Sequence, residues 1–394
     1  MINYHNTVFI IVILFSIYIV YKIMEYYKYQ KYKQKYIVAK YVTDNNENGN
    51  LNIGINKITA KLSSTLGKKN QIFSPLSITM ALSILHNAPN IDFFQLKLRD
   101  ELDRFFEYQY NVNQLVTLNK IFNKKTLDVT CQMANILIIK QQSMDIFTNQ
   151  YLTNISQFVK VEFIKKRYVN VDILNKYIEE KTNGMIQKLL SSSDINNALF
   201  VIVNTIYFKA NWKFPFDNSM TKKKPFYKND DEIIVDMMFQ NESFPYFENK
   251  ELQMIELPYV HDYAMGIILF KRNMKNITSS EIINLLNFNL NMTKIKLYIP
   301  RFKQRNKYIL NNSLKKIGLD NVSDQNLFKI IHEAVVVVNE EGTEASAATA
   351  VVSRTLFTED IIFNANKPFI YYIRHLDTNI ILFYGIFDGT MDKN

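Results

Sequence analysis

Residues 333–339, EAVVVVN, form a β-branched apolar run that reads as a buried strand, and the chain passes from it straight into EEGTEASAATAVVSRTLF, residues 340–357. Alternate residues of the second stretch, Thr343, Ala345, Ala347 and Thr349, are small and uncharged, while Glu344 falls on the other register. A strand sends alternate side chains to opposite faces, so the small ones share a face. Val351, Ser353 and Thr355 keep that parity, and Arg354 takes the outward one. A loop lying on the surface gains nothing from keeping one face small. A segment that slides between two strands, by contrast, must bury that face without overpacking what lies beneath. Gly342 is then expected to be the permissive pivot where strand becomes loop. The stretch is read as an insertable strand, and the chain must contain a sheet able to receive it.

The rest of the chain mixes strands and helices. ALFVIVNTIYF, 198–208, is β-branched and almost continuously apolar, as expected of a strand covered on both faces. IKLYIPRF, 295–302, alternates like a strand and meets Pro300 near its end, and FIYYIRH and NIILFYGIF read as a hairpin pair around LDT. DILNKYIEEKTNGMIQKLL, 172–190, sets Ile173, Tyr177, Ile186 and Leu190 among charges at helical spacing, with Thr-Asn-Gly as a stop signal. Long strands with separate helices indicate the α+β class. No Pro/Gly/Ser-rich linker divides residues 41–394, which are read as one domain with a sizeable core.

Residues 1–40 stand apart. TVFIIVILFSIYIVY, 7–21, is an apolar run of secretory h-region length, followed by a Lys/Tyr-rich linker. No Lys or Arg precedes the run and no small-x-small cleavage site follows it, whereas Lys22, Lys28, Lys31, Lys33 and Lys35 do. The reading is a signal for secretion. The alternative is an uncleaved membrane anchor through residues 7–21, whose positive flank would hold the following chain on the cytosolic side.

Several function classes are disfavoured. Cys131 is the only cysteine, so no intramolecular disulfide forms. The net charge of +10 is scattered, without a basic stripe interleaved with aromatics, and nucleic acid is not an expected partner. Lysines near RDELDR and NKKTLD are diluted by acids, giving no continuous face for a polyanion. GxSxG, HExxH, Walker and GxGxxG motifs are absent, and His5, His86, His261, His332 and His375 include no i, i+4 pair to seat a metal. Neither an enzyme, a metal nor a cofactor is expected.

VNEEGTEASAAT, 338–349, resembles the proximal hinge of an inhibitory serpin. NQIFSPLSITMAL at 70–82 resembles the serpin Asn-x-x-Phe-Ser-Pro-x-Ser-Ile signature, VNTIYFKANW at 203–212 the central strand ending in tryptophan, and FNANKPFIYYIRH at 363–375 the C-terminal Pro-Phe strand. The four motifs arrive in the family's order over roughly residues 45–390. The chain departs from the family at HNAPN, 86–90, which replaces a small Gly-Ala turn, and at KAN before Trp212, where Lys-Gly is common.

The resemblance implies the serpin fold: three β-sheets, about eight or nine helices and an exposed reactive-centre loop. It implies a monomeric suicide inhibitor that traps a target serine protease as an acyl-enzyme when the cleaved loop inserts into the main sheet. The alternative is a non-inhibitory serpin acting as a carrier, chaperone or protease substrate. The hinge is carried onto Glu340, Glu341, Gly342, Thr343, Glu344, Ala345, Ser346, Ala347, Ala348 and Thr349. Ser74, Ser77, Asn204 and His332 match a polar cluster beneath the strands that open. Trp212 matches the point of loop entry, where Glu340 is expected to pair with Arg301.

Three scissile bonds are open. Family spacing from the hinge gives Leu356–Phe357, for a chymotrypsin- or elastase-like target; counting back from FNANKPF gives Phe357–Thr358. Arg354, the segment's lone basic side chain, offers Arg354–Thr355 to a trypsin-like enzyme. The Asn-, Lys-, Ile- and Tyr-rich composition suggests an AT-rich genome, such as that of a parasite or large DNA virus directing the inhibitor at host proteases.

Overall fold

The β-branched run around Asn204 becomes the middle of a mixed sheet. The computed structural model describes residues 51–66, 70–90, 98–106, 111–164, 170–196, 198–228, 231–272, 281, 284–285, 290–323, 327–343 and 361–390, and from Leu51 onward they form one unit. The expectations for residues 7–21 and for Glu344 through Thr358 lie outside the described residues.

In the first sheet, strand Phe200–Asn211 pairs antiparallel with Val129–Lys140, from Val129↔Ala210 to Ile139↔Phe200. On its other side Phe328–Val338 runs parallel to it, from Phe328↔Phe200 to Val335↔Tyr207. Phe302–Ile309 closes that edge, while Lys124–Lys125 and Lys160–Ile164 pair with Val129–Lys140. Strand alternation splits the side chains between two cores. Phe200, Ile202, Ile206 and Phe208 enter the larger one; Val201 and Val203 enter a smaller one with Leu174, Ile178, Ile186 and Leu189. Both faces are covered, which explains a strand without polar alternation.

Helix Pro75–His86 lies on the larger-core face. Ser74 caps it by accepting from the Ser77 N–H, Pro75 takes the first turn, and every residue from Pro75 to Leu85 is buried. Over the opposite face lies helix Val171–Lys181. It stops where Asn183 and Gly184 adopt φ of 48° and 78°, as Thr-Asn-Gly predicts. Its buried face, however, is Leu174 and Ile178, and Ile173 is 56% exposed. The pairs 173/177 and 174/178 have the same helical spacing, and the contact with the sheet selects the second.

The second sheet follows the order Gln71–Phe73, Ile381–Phe387, Phe369–His375, Tyr263–Phe270, Leu252–Pro258, Asp231–Glu248, Asn291–Pro300 and Ile361–Asn364, with Lys222–Lys228 also on Asp231–Glu248. The long strand Asp231–Glu248 pairs in turn with Lys222–Lys228, Asn291–Pro300 and Leu252–Pro258. Two of the three expected sheets are therefore continuous through it. The C-terminal hairpin forms as read, Phe369↔Phe387 through Arg374↔Ile381.

Candidate functional site

The seam between Phe200–Asn211 and Phe328–Val338 is closed below and wedged open above. Beyond Val335↔Tyr207 the strands cease to pair, and a two-residue strand, Gly342–Thr343, lies between them. Thr343 pairs with Val338 on one side and Ala210 on the other, and Gly342 with Asn211, antiparallel to both strands. Asn339 turns the chain back: its Oδ1 accepts from the N–H groups of Glu341 at 3.2 Å and Gly342 at 3.1 Å. A Cβ on Gly342 would sit 2.1 Å from the Ala210 carbonyl oxygen and 2.8 Å from Asn211 Cα. Gly342 stands where the turn becomes strand, as expected, and is in addition a close-approach residue inside the sheet; that contact comes from a strand some 130 residues earlier.

Trp212 and Tyr259 form the cap of the entry. Their rings stack with centroids 4.3 Å apart and planes 8° from parallel. Trp212 donates its Nε1–H to the Asn339 carbonyl at 2.9 Å and its backbone N–H to that of Glu341 at 2.8 Å. The hydroxyls of Tyr259 and Thr343 share a hydrogen bond of 2.7 Å in a buried setting. Glu340 lies alongside, its carboxylate bonded to the Arg301 guanidinium and to the Thr221 hydroxyl at 2.6 Å. Burial pushes the Glu340 pKa up, but the bonds from Arg301 and Thr221 outweigh it and hold the group below its ordinary value.

Lower on the seam, Ser74, Ser77, Asn204 and His332 meet, all fully buried on the helix Pro75–His86 face. His332 and Asn204 are register partners across the two strands. The Ser74 backbone N–H donates to His332 Nε2 at 3.0 Å. Since a backbone N–H can only donate, the ring proton is on Nδ1, which donates to Asn204 Oδ1 at 3.0 Å. Ser77 Oγ–H donates to the same oxygen. Burial in this setting drives the His332 pKa down to about 3, so the ring is neutral. The Asn204 amide nitrogen donates to Asn135 Oδ1 at 2.5 Å.

The fold thus brings together two groups expected from the sequence: Ser74, Ser77, Asn204 and His332, and Trp212, Arg301 and Glu340. Glu341, Gly342 and Thr343 join the second. The remaining hinge residues Glu344–Thr349 and the bonds at Arg354, Leu356 and Phe357 lie outside the described residues. Sequence reasoning missed Asn135, Thr221, Tyr259 and Asn339. Only Asn339 carried a signal, as a turn-forming residue closing an apolar strand. Among the described residues no group of three His, Cys, Asp or Glu is placed to hold a metal. Cys131 is buried, and burial pushes its thiol up to about 12, so it is inert as a nucleophile.

Comparison with known proteins agrees with this geometry. A family model described as Serpin (serine protease inhibitor) matches residues 50–388. An uncharacterised serpin-like protein of Acanthamoeba polyphaga mimivirus is 37% identical over 351 residues, covering 81% of this chain and 84% of that protein. A leukocyte elastase inhibitor of Xenopus laevis is 31% identical over 381 residues, covering 88% and 94%. Among solved structures, human glycosylated kallistatin superposes with a TM-score of 0.71 at 24% identity over 87% of this chain and 98% of that one, a likeness of fold. A sheet with a wedged seam, a hinge in its mouth and a family match across nearly all the described residues lead to one conclusion: the chain belongs to the serpin family.

Proposed function

We propose that this serpin inhibits a serine protease as a suicide substrate. The protease's hydroxyl oxygen attacks the Leu356 carbonyl, the Leu356–Phe357 bond breaks, and Phe357 leaves as a free amine carrying the transferred proton. The protease is then esterified to Leu356. Trapping requires the loop to enter the sheet before water reaches the ester.

The observation that carries this reading is the pairing of Gly342 and Thr343 within the seam, because the sheet already accepts the first two residues of the strand it would receive. Continuing that antiparallel register one residue at a time sets Ala345 opposite Phe208 and Ala347 opposite Ile206, on the larger-core face where a bulky side chain would overpack. Glu344 arrives opposite Lys209. Thr349 arrives opposite both Asn204 and His332, a hydroxyl delivered to the polar cluster. The small-residue face of the hinge thereby acquires a physical reason. Insertion from Glu344 to Leu356 would carry the ester about 40 Å, at about 3.3 Å per residue, to the far end of the sheet.

Leu356 fits a chymotrypsin- or elastase-like target, and the similarity to a leukocyte elastase inhibitor supports that class. Arg354–Thr355 is the second reading, favoured by the only basic side chain of the segment, and Phe357–Thr358 the third. The run 7–21 supports delivery outside the producing cell, with a membrane anchor as the alternative.

Thermal unfolding of the intact and loop-cleaved protein tests insertion. A large rise in Tm on cleavage is expected, since the cut loop completes the sheet. Equal Tm values would favour the carrier or substrate alternative.

A further inference from the structure

Between the top of the strands Phe302–Ile309 and Phe328–Val338 and the long strand Asp231–Glu248 lies a cavity of about 590 Å³. Part of its wall is apolar surface that neither core absorbs. Val337 is half-buried and faces away from the larger core, because strand alternation gives that side to Val336 and Val338. Ile234 lines the cavity from Asp231–Glu248 and is 59% exposed, and Phe302 lines it beside them.

Six charged side chains line the same cavity, three of each sign: Lys223, Arg301 and Lys303 against Asp236, Glu340 and Glu341. Two pairs neutralise each other. Lys223 Nζ lies 2.9 Å from Asp236 Oδ1, and Arg301 is bonded to Glu340. The side chains of Lys303 and Glu341 have no such partner among the described residues. Lys303 is half-buried and, as register partner of Val337, shares its outward face. Glu341 is fixed by its backbone, whose N–H donates to Asn339 Oδ1 and whose carbonyl accepts from the Trp212 N–H, yet its Oε2 is shielded from water and accepts no hydrogen bond. A carboxylate oxygen withdrawn from water without a donor is costly, and a donor supplied by a ligand removes that cost.

A compound matched to this wall brings a cation for Glu341, an anion for Lys303 and an apolar body for Val337, Ile234 and Phe302. Either charge alone leaves one of the two side chains unpaired. We propose that the cavity binds a small zwitterion of the chemical class of an apolar amino acid, its ammonium donating to Glu341 and its carboxylate accepting from Lys303. The volume is that of a small-molecule site. The cavity lies on the sheet face opposite the buried His332 cluster, and its occupation does not depend on protease trapping.

The test is isothermal titration calorimetry on the full chain with three probes: L-phenylalanine, phenethylamine, which keeps only the cation, and 3-phenylpropanoate, which keeps only the anion. Phenylalanine is expected to bind about tenfold more tightly than either analogue, the worth of one charge-assisted hydrogen bond. Glu341→Gln should weaken phenylalanine about tenfold and leave 3-phenylpropanoate unchanged; Lys303→Met should weaken phenylalanine equally and leave phenethylamine unchanged. This mirror-image pattern cannot come from general damage to the fold, which would weaken all three probes together. Phenylalanine binding no better than its single-charge analogues, binding that survives both substitutions, or no binding of any probe at millimolar concentration overturns the proposal.

Discussion

Thr343 Oγ1 lies 2.7 Å from Tyr259 Oη, and this buried hydroxyl pair joins the mouth of the first sheet to the segment that follows Leu252–Pro258 in the second. It holds the hinge inside the seam before any protease has acted. On the suicide-substrate reading, this contact would halt an insertion already begun, and the residues that make it are open to test.

Replacing Tyr259 with Phe keeps the ring stacked on Trp212 but strands the Thr343 hydroxyl, at about 1–3 kcal/mol. The hinge should shift toward the outside. Trp212 is the only tryptophan and its indole N–H is bound to the Asn339 carbonyl, so its fluorescence reports the change. A red-shifted, more quenchable emission is expected from Tyr259→Phe; an unchanged spectrum would argue that the hydroxyl pair does not hold the hinge.

Gly342→Ala is a stronger form of the same test. Its Cβ would fall on the backbone of Ala210, where no side chain can yield. The hinge must leave the seam, and the variant should be cleaved as a substrate with little stable complex. Complex formation at the wild-type level would show that the wedge is dispensable.

Glu340 titrates in the direction set by Arg301 and Thr221. Its folded pKa lies below the ordinary carboxylate value, so its stabilisation is present above that value and is lost as pH falls through the folded one. Arg301 is 44% exposed, so solvent screening limits the effect of Glu340→Ala to about 1 kcal/mol. Heat-driven loop insertion should accelerate in that variant. Unchanged inhibition and unchanged insertion would remove the support for the pair as a restraint.

His332 is held neutral by burial, its pKa near 3 against an ordinary 6.5. Opening the seam exposes the ring and restores the ordinary value, so the open sheet binds a proton that the closed one refuses. Stability of the closed seam is complete above pH 6.5 and falls progressively toward pH 3. The rate of spontaneous insertion should rise up to about tenfold per pH unit below that point. His332→Gln should flatten the profile. His375, also buried, with a pKa near 4, lies in the second sheet and serves as the control: its replacement should alter global unfolding but not the insertion profile.

Much of this was legible because it is local. Ser74, Pro75 and Ser77 announce a capped helix, Phe200–Asn211 announces its double burial, and the small, uncharged Thr343 is buried as its place in the hinge pattern requires. What escaped depends on contacts between distant segments. Tyr259 looks like one aromatic among many until Trp212 stacks on it. Asn135 sits in an apolar strand with no pattern to mark it, and only the strand pairing delivers it to Asn204. The helix after residue 170 offers two equivalent apolar spacings, and the sheet beneath selects Leu174 and Ile178 and leaves Ile173 exposed.

The central claim is that the protein traps what cuts it. Mixing it with a trypsin-like, a chymotrypsin-like and an elastase-like protease, followed by denaturing gels and mass spectrometry, tests this most directly. The account predicts a protease-sized upward shift that survives boiling and a released peptide beginning at Phe357; one beginning at Thr355 would reassign the target to trypsin-like enzymes, and one at Thr358 would move the bond by a residue. Clean cleavage of the loop with no covalent complex for any of the three would contradict it.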